Sequence, residues 1–139
     1  MKDNLDLLFY ERNLIDNGLQ IMMTQNVKIS VQSTDRLTEM YYKDLNTWLF
    51  ELLSKVKSSN LDAYVDLSFN EINMIKSGLT LLDELTYGKS LEETEKDKAQ
   101  SYADYKLKMT ALREKISNIE SYKMYGAHEK QRINSRLLI

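Results

Sequence analysis

The chain contains no cysteine and no proline, and it has only four glycines, one histidine and one tryptophan. Without cysteine, disulfides, thiolate catalysis and zinc–sulfur sites are excluded together, and nothing opposes a reducing compartment. Without proline, and with so little glycine, the punctuation that hairpin turns and sandwich loops require is missing, so the expected fold class is all-α. No apolar run approaches the ~18 to 20 residues that span a bilayer. The opening Met-Lys-Asp-Asn-Leu-Asp carries acids where a signal peptide has an apolar block. The expected setting is therefore cytoplasmic, with no membrane partner.

Charge of one sign is also lacking. Nineteen basic residues against twenty-one acidic ones leave a net charge of −2, which supplies no bulk attraction to phosphate backbones. Nucleic acid is accordingly the less favoured partner. Catalytic patterns are missing as well. His128 is the sole imidazole, has no serine or threonine at a recognisable spacing, and reads as a surface residue. There is no Glu-x-x-His pair of the kind that di-iron helical sites use, and no glycine-rich phosphate loop. The expectation is no catalytic residue, no cofactor and no metal ligand.

What the chain does contain is itself, twice. Asp6, Leu7, Phe9, Glu11, Asn13, Ile15, Gly18 and Leu19 recur as Asp66, Leu67, Phe69, Glu71, Asn73, Ile75, Gly78 and Leu79. The match continues at the same offset through Tyr42/Tyr102, Asp44/Asp104, Leu52/Leu112 and Lys55/Lys115. With 139 residues, the chain reads as one domain, 1–139, built from repeats 4–57 and 64–117 and ending in a basic tail, 123–139.

Each repeat carries two helical patterns. The first helix is expected from about Leu8 to Thr24 and its counterpart from about Ser68 to Thr86, where Ser68 and Glu71 have capping-box spacing. Leu8 takes the Ser68 position in the first copy, so that start is expected to be less well capped. Glycine inside a helix costs about 1 kcal/mol relative to alanine, so its recurrence as Gly18 and Gly78 on the apolar face points to a close helix crossing. Asn13 and Asn73 are expected to hydrogen-bond a neighbouring helix or loop and set hairpin register; a pair of ligand contacts is the alternative.

The second helix is expected from about Thr34 to Lys57. Its counterpart, from about Ser90 to Tyr122, repeats Tyr102, Tyr105, Met109, Leu112, Ile116 and Ile119 at spacings of three and four. That last helix would be about 50 Å long, against about 26 Å for the one before it, and its polar start from Leu91 to Ser101 is expected to project. Asn26 to Gln32 alternates as a strand would but has no partner strand, so it reads as an extended linker. Residues 58–63 join the copies, and 126–139 reads as a short helix with Ile133 and Leu137 on one side. The expected architecture is an antiparallel four-helix bundle of two tandem hairpins with internal pseudo-twofold symmetry and a long last helix.

The copies differ most tellingly in their second helices. Leu37, Met40, Tyr41, Trp48, Phe50 and Leu53 correspond to Asp97, Gln100, Ser101, Lys108, Thr110 and Arg113. The second copy does without apolar residues there, and tryptophan and tyrosine are common anchors of interfaces. Leu37, Met40, Tyr41 and Trp48 are therefore the candidate partner-binding residues, unless the polar part of the long helix or the tail folds over them. The tail, with Lys130, Arg132 and Arg136, is the candidate for acidic contacts.

These features describe a non-enzymatic helical protein-binding module with a protein partner, and a homodimer is compatible with them. Abundant lysine, asparagine, isoleucine and tyrosine reflect AT-rich codons, which directs the reading towards a small phage or mobile-element protein that adapts or inhibits a larger host protein. Two rivals remain open: a nucleic-acid-associated regulator that uses the tail, and an oligomeric module that holds a small ligand between repeats.

Overall fold

A computed structural model describes residues 6–58, 61–92 and 96–137, with side chains 87–92, 96–100, 102 and 126–137 outside that description. Among the described residues the fold is all-helical. Its elements are α1 (Phe9–Gln32), α2 (Arg36–Lys57), the single turn α3 (Ala63–Asp66), α4 (Phe69–Glu92) and α5 (Lys96–Leu137).

The helix starts follow the capping chemistry. At α4 the box is complete: the Ser68 hydroxyl accepts from the Glu71 N–H at 3.1 Å, and Glu71 accepts from the Ser68 N–H at 2.9 Å. At α1 only half of it survives, because Leu8 has no side-chain acceptor; Glu11 still accepts from the Leu8 N–H at 2.8 Å.

Both hairpins run antiparallel. In the first, α1 meets α2 through Asp16 with Lys57 and Asn26 with Asn46. In the second, α4 meets α5 through Lys76 with Glu120, Thr80 with Arg113 and Asp83 with Lys106. The hairpins join along α1 and α4, which approach at the repeated glycine. A methyl group at Gly18 would lie 2.7 Å from the carbonyl carbon and oxygen of Gly78, and one at Gly78 would lie 3.0 Å from the carbonyl carbon of Gly18. The glycines therefore form the close crossing expected of them, and their propensity cost secures backbone-to-backbone packing.

One apolar core forms around this crossing. Ile15, Leu19, Ile75 and Leu79 flank the glycines, Leu49, Leu52 and Val56 come from α2, and Met109, Leu112, Ile116 and Ile119 come from α5. Each such aliphatic side chain contributes roughly 1.5 to 3 kcal/mol on burial. The periodic seam of the last helix is thus buried as expected, with Tyr105 half-buried at its edge; Tyr102 lies outside the described side chains.

Five expectations fail. The last helix begins at Lys96 and not near Ser90, because residues 90–92 continue α4. Residues 26–32 are no extended linker but the last two turns of α1, because Asn26 and Ser30 lie one turn apart and bury against α2. The Asn26 amide donates to Asn46 at 2.9 Å, the Asn46 amide donates to the Met23 carbonyl at 3.1 Å, and the Ser30 hydroxyl donates to the Glu39 carbonyl at 3.4 Å. Asn13 and Asn73 are exposed and make no such bonds, so the Asn26–Asn46 pair takes the register role in the first hairpin. Residues 126–137 do not form a separate helix, since α5 continues unbroken through Gly126 to Leu137. Leu53, grouped with the unmatched apolar surface, is buried against the core.

Candidate protein-interaction face

The candidate face is built on α2, whose start is secured locally. The Asp35 carboxylate accepts from the Leu37 N–H at 3.1 Å and from the Thr38 hydroxyl at 2.9 Å. The Thr38 hydroxyl first, and then the Leu37 amide, hold that carboxyl below its usual range. The spacing of the apolar residues sets the rotation of the helix. Leu49, Leu52, Leu53 and Val56 turn inward, and what remains on the adjoining strip turns out.

That outward strip contains all four residues expected there. Leu37 is 76% exposed, Met40 49%, Tyr41 60% and Trp48 56%. Their spacings of three, four and seven put them along one side of α2, where Asp44 and Glu51 interleave at three or four residues from Tyr41 and Trp48. Tyr41 is steadied edge-on by Tyr42, with ring centroids 5.1 Å apart. Among the described residues no cation pairs with Asp44 or Glu51. Lys55, next along the strip, is held by Glu71 and by the Asp66 carbonyl. Phe50, from the same unmatched set, is also exposed.

The equivalent place on α5 behaves differently. Lys108, at the position of Trp48, sits 5.4 Å from the centre of the Tyr10 ring. Arg113, at the position of Leu53, reaches Asp83 at 3.0 Å and Thr80 at 3.3 Å. Here polar contacts within the chain replace the apolar strip of α2. Asp97 and Gln100 lie outside the described side chains, as do His128, Lys130, Arg132 and Arg136; the backbone places the tail positions on the last turns of α5.

An open cleft of about 580 Å³ between α1 and α4 was not foreseen in the sequence. Gln20, Ile21, Thr24 and Lys28 face Leu82 and Leu85 across it. Its only local signal is a polar outer face on α1, which any solvated helix shares. A smaller depression groups Asn13 with Phe9, Arg12, Asp16 and Lys57, so Asn13 belongs to a surface hollow, whereas Asn73 does not line it. In the smaller depression Asp16 and Lys57 pair with each other at 3.8 Å. Among the described residues no cluster of histidine, aspartate and glutamate is arranged to hold a metal ion, and no helix is long and apolar enough to cross a membrane.

The chain matches no family model, no curated protein and no solved structure.

Proposed function

We propose that this chain is a non-enzymatic protein-binding module, a pseudo-twofold bundle of two antiparallel hairpins that presents the α2 strip of Leu37, Met40, Tyr41 and Trp48 to a protein partner. The observation that carries the reading is the exposure of Trp48 and Tyr41 at positions where the second repeat has Lys108 and Ser101. Exposed aromatic residues that the fold does without in its own second copy are a cost in solubility unless something covers them. Their flat, rigid rings suit an interface, where tryptophan and tyrosine carry a disproportionate share of binding energy. In this reading the protein acts in the cytoplasm as a small adaptor or inhibitor of a larger protein, such as a phage or mobile element would encode.

The test replaces the aromatic pair by the residues of the second copy, Trp48→Lys with Tyr41→Ser. Because both side chains are largely outside the core, thermal unfolding should stay close to that of the parent. Capture of the native partner from the host should weaken by the equivalent of about 2 kcal/mol or more, the scale of an interface hot spot. A folded double variant that retrieves the same partner as strongly as the parent would remove α2 as the binding face.

A further inference from the structure

The α2 strip pairs apolar groups with a charge pattern, and that pattern selects an occupant. Asp44 and Glu51 lie between and beside Tyr41 and Trp48, and among the described residues neither has a cationic partner. By contrast Glu39, on the neighbouring face, is neutralised by Lys43 at 2.7 Å. A surface with two open carboxylates set among tryptophan, tyrosine and leucine is complementary to a helix that carries cations beside a narrow apolar stripe.

The same chain carries such a helix. Lys123 is engaged at the end of the packed region, donating to the Tyr64 carbonyl at 2.9 Å and lying 5.6 Å from the centre of the Phe69 ring. Phe69 opens α4, so α5 is level there with the first residue of its packing neighbour. From that level α5 runs on to Leu137, about 21 Å further at 1.5 Å per residue. The sequence of this extension holds Lys130, Arg132 and Arg136 against Glu129 alone, and Ile133 and Leu137 are one helical turn apart. The chain's own extension leaves the strip open, because Leu37, Tyr41 and Trp48 are exposed while α5 is an unbroken helix.

We infer that the occupant is a second copy of this chain, the basic end of α5 of one protomer lying along the Leu37–Trp48 strip of its partner, with Lys130, Arg132 and Arg136 facing Asp44 and Glu51. In this arrangement each protomer's tail lies on the other's strip, so the contact is made twice and closes as a twofold dimer. The inference rests on the proposal that the α2 strip is a contact surface; the second copy is what covers the strip in the protein alone, and a larger partner would bind in its place.

The test uses the full chain, with mass in solution by sedimentation over a range of concentrations at low and high salt. The emission of Trp48, the only tryptophan, reports cover on the strip. The parent should dimerise with a blue shift in emission, and high salt should weaken the dimer. Asp44→Lys with Glu51→Lys should raise the dissociation constant at least about tenfold, as should Lys130→Glu with Arg132→Glu and Arg136→Glu. Combining the two sets should restore the dimer, an outcome that simple damage to the fold cannot produce. A parent that stays monomeric overturns the inference, and one whose emission shifts red on reversing the tail charges without a change of mass shows the tail folding back within one chain. A dimer indifferent to tail reversal but lost in Trp48→Lys with Tyr41→Ser also overturns it, while leaving α2 as an interface. If that aromatic variant alters neither mass nor partner capture, the proposed binding face falls as well.

Discussion

Gly18 and Gly78 meet backbone to backbone, and the two positions are not equally tight. A methyl group at Gly18 would sit 2.7 Å from two backbone atoms of Gly78, whereas one at Gly78 would find its nearest neighbour at 3.0 Å. Alanine gains up to about 1 kcal/mol of helix propensity over glycine, but forcing the helices apart costs about 1 to 3 kcal/mol. Gly18→Ala should therefore destabilise, and by more than Gly78→Ala, with the double variant worst; chemical denaturation of the three gives the order. Equal stability of Gly18→Ala and the parent would show that α1 and α4 can part without loss. The recurrence of glycine on an apolar helix face made the crossing legible. Which copy fits more tightly was not, since that depends on tenths of an ångström in the docking of two helices.

At the scale of elements, the last two turns of α1 are the clearest divergence between local pattern and structure. Asn-Val-Lys-Ile-Ser-Val-Gln has the alternation and the β-branched content of a strand, yet it is helical. As a helix it satisfies its own backbone, and its buried polar residues Asn26 and Ser30 find partners on α2. The Asn26–Asn46 pair then carries weight beyond its size. Asn46→Ala removes the donor to the Met23 carbonyl and leaves the mostly buried Asn26 amide without its acceptor, at an expected cost of about 1 to 3 kcal/mol. The loss should be local as well as global, with faster amide exchange over residues 24–32. Unchanged stability and unchanged protection would mean that apolar contacts alone set the register of this hairpin.

For the whole molecule, two lysine–glutamate links tie the repeats to each other. Lys55 of α2 reaches Glu71 at the start of α4, and Lys115 of α5 reaches Glu11 at the start of α1 at 2.7 Å. Each lysine also donates to a carbonyl just before that helix, Asp66 or Asp6. Residues sixty apart thus make the same contact in exchanged roles. For Glu71, burial pushes the carboxyl pKa up, but Lys55 and the Ser68 amide and hydroxyl outweigh it and hold the value below the usual range. A lowered folded pKa stabilises fully above the unfolded value of about 4.3, and that stabilisation is lost as pH falls through the folded value. Glu71→Gln should thus be less stable than the parent by about 1 kcal/mol at neutral pH, a modest figure because the pair is partly solvated. The gap should close as the pH is lowered through the depressed folded pKa of Glu71, as followed by denaturation at neutral and at strongly acid pH. A gap that persists unchanged at acid pH would show that the contribution of Glu71 comes from packing, with no part played by its charge.

Composition and period alone were enough to determine that the chain is helical and that Met109 to Ile119 faces a core, whereas the comparison of its matching segments marked Trp48 and Tyr41 as candidates and left their place outside the core to be decided by the structure. Those properties follow from local rules: absent turn residues, spacings of three and four, and a built-in comparison between copies. The cross-repeat role of Glu11 and Glu71 was only half visible. Their spacing to the helix start announced the cap, but the lysine that completes each site lies 104 residues away in one case and 16 in the other. The helical state of residues 26–32, the burial of Leu53, the exposure of Asn13 and Asn73 and the cleft between α1 and α4 were decided only by tertiary structure. Each depends on which neighbouring helix arrives at that face, and the docking of helices far apart in the chain is an energy of the assembled core that no single segment carries.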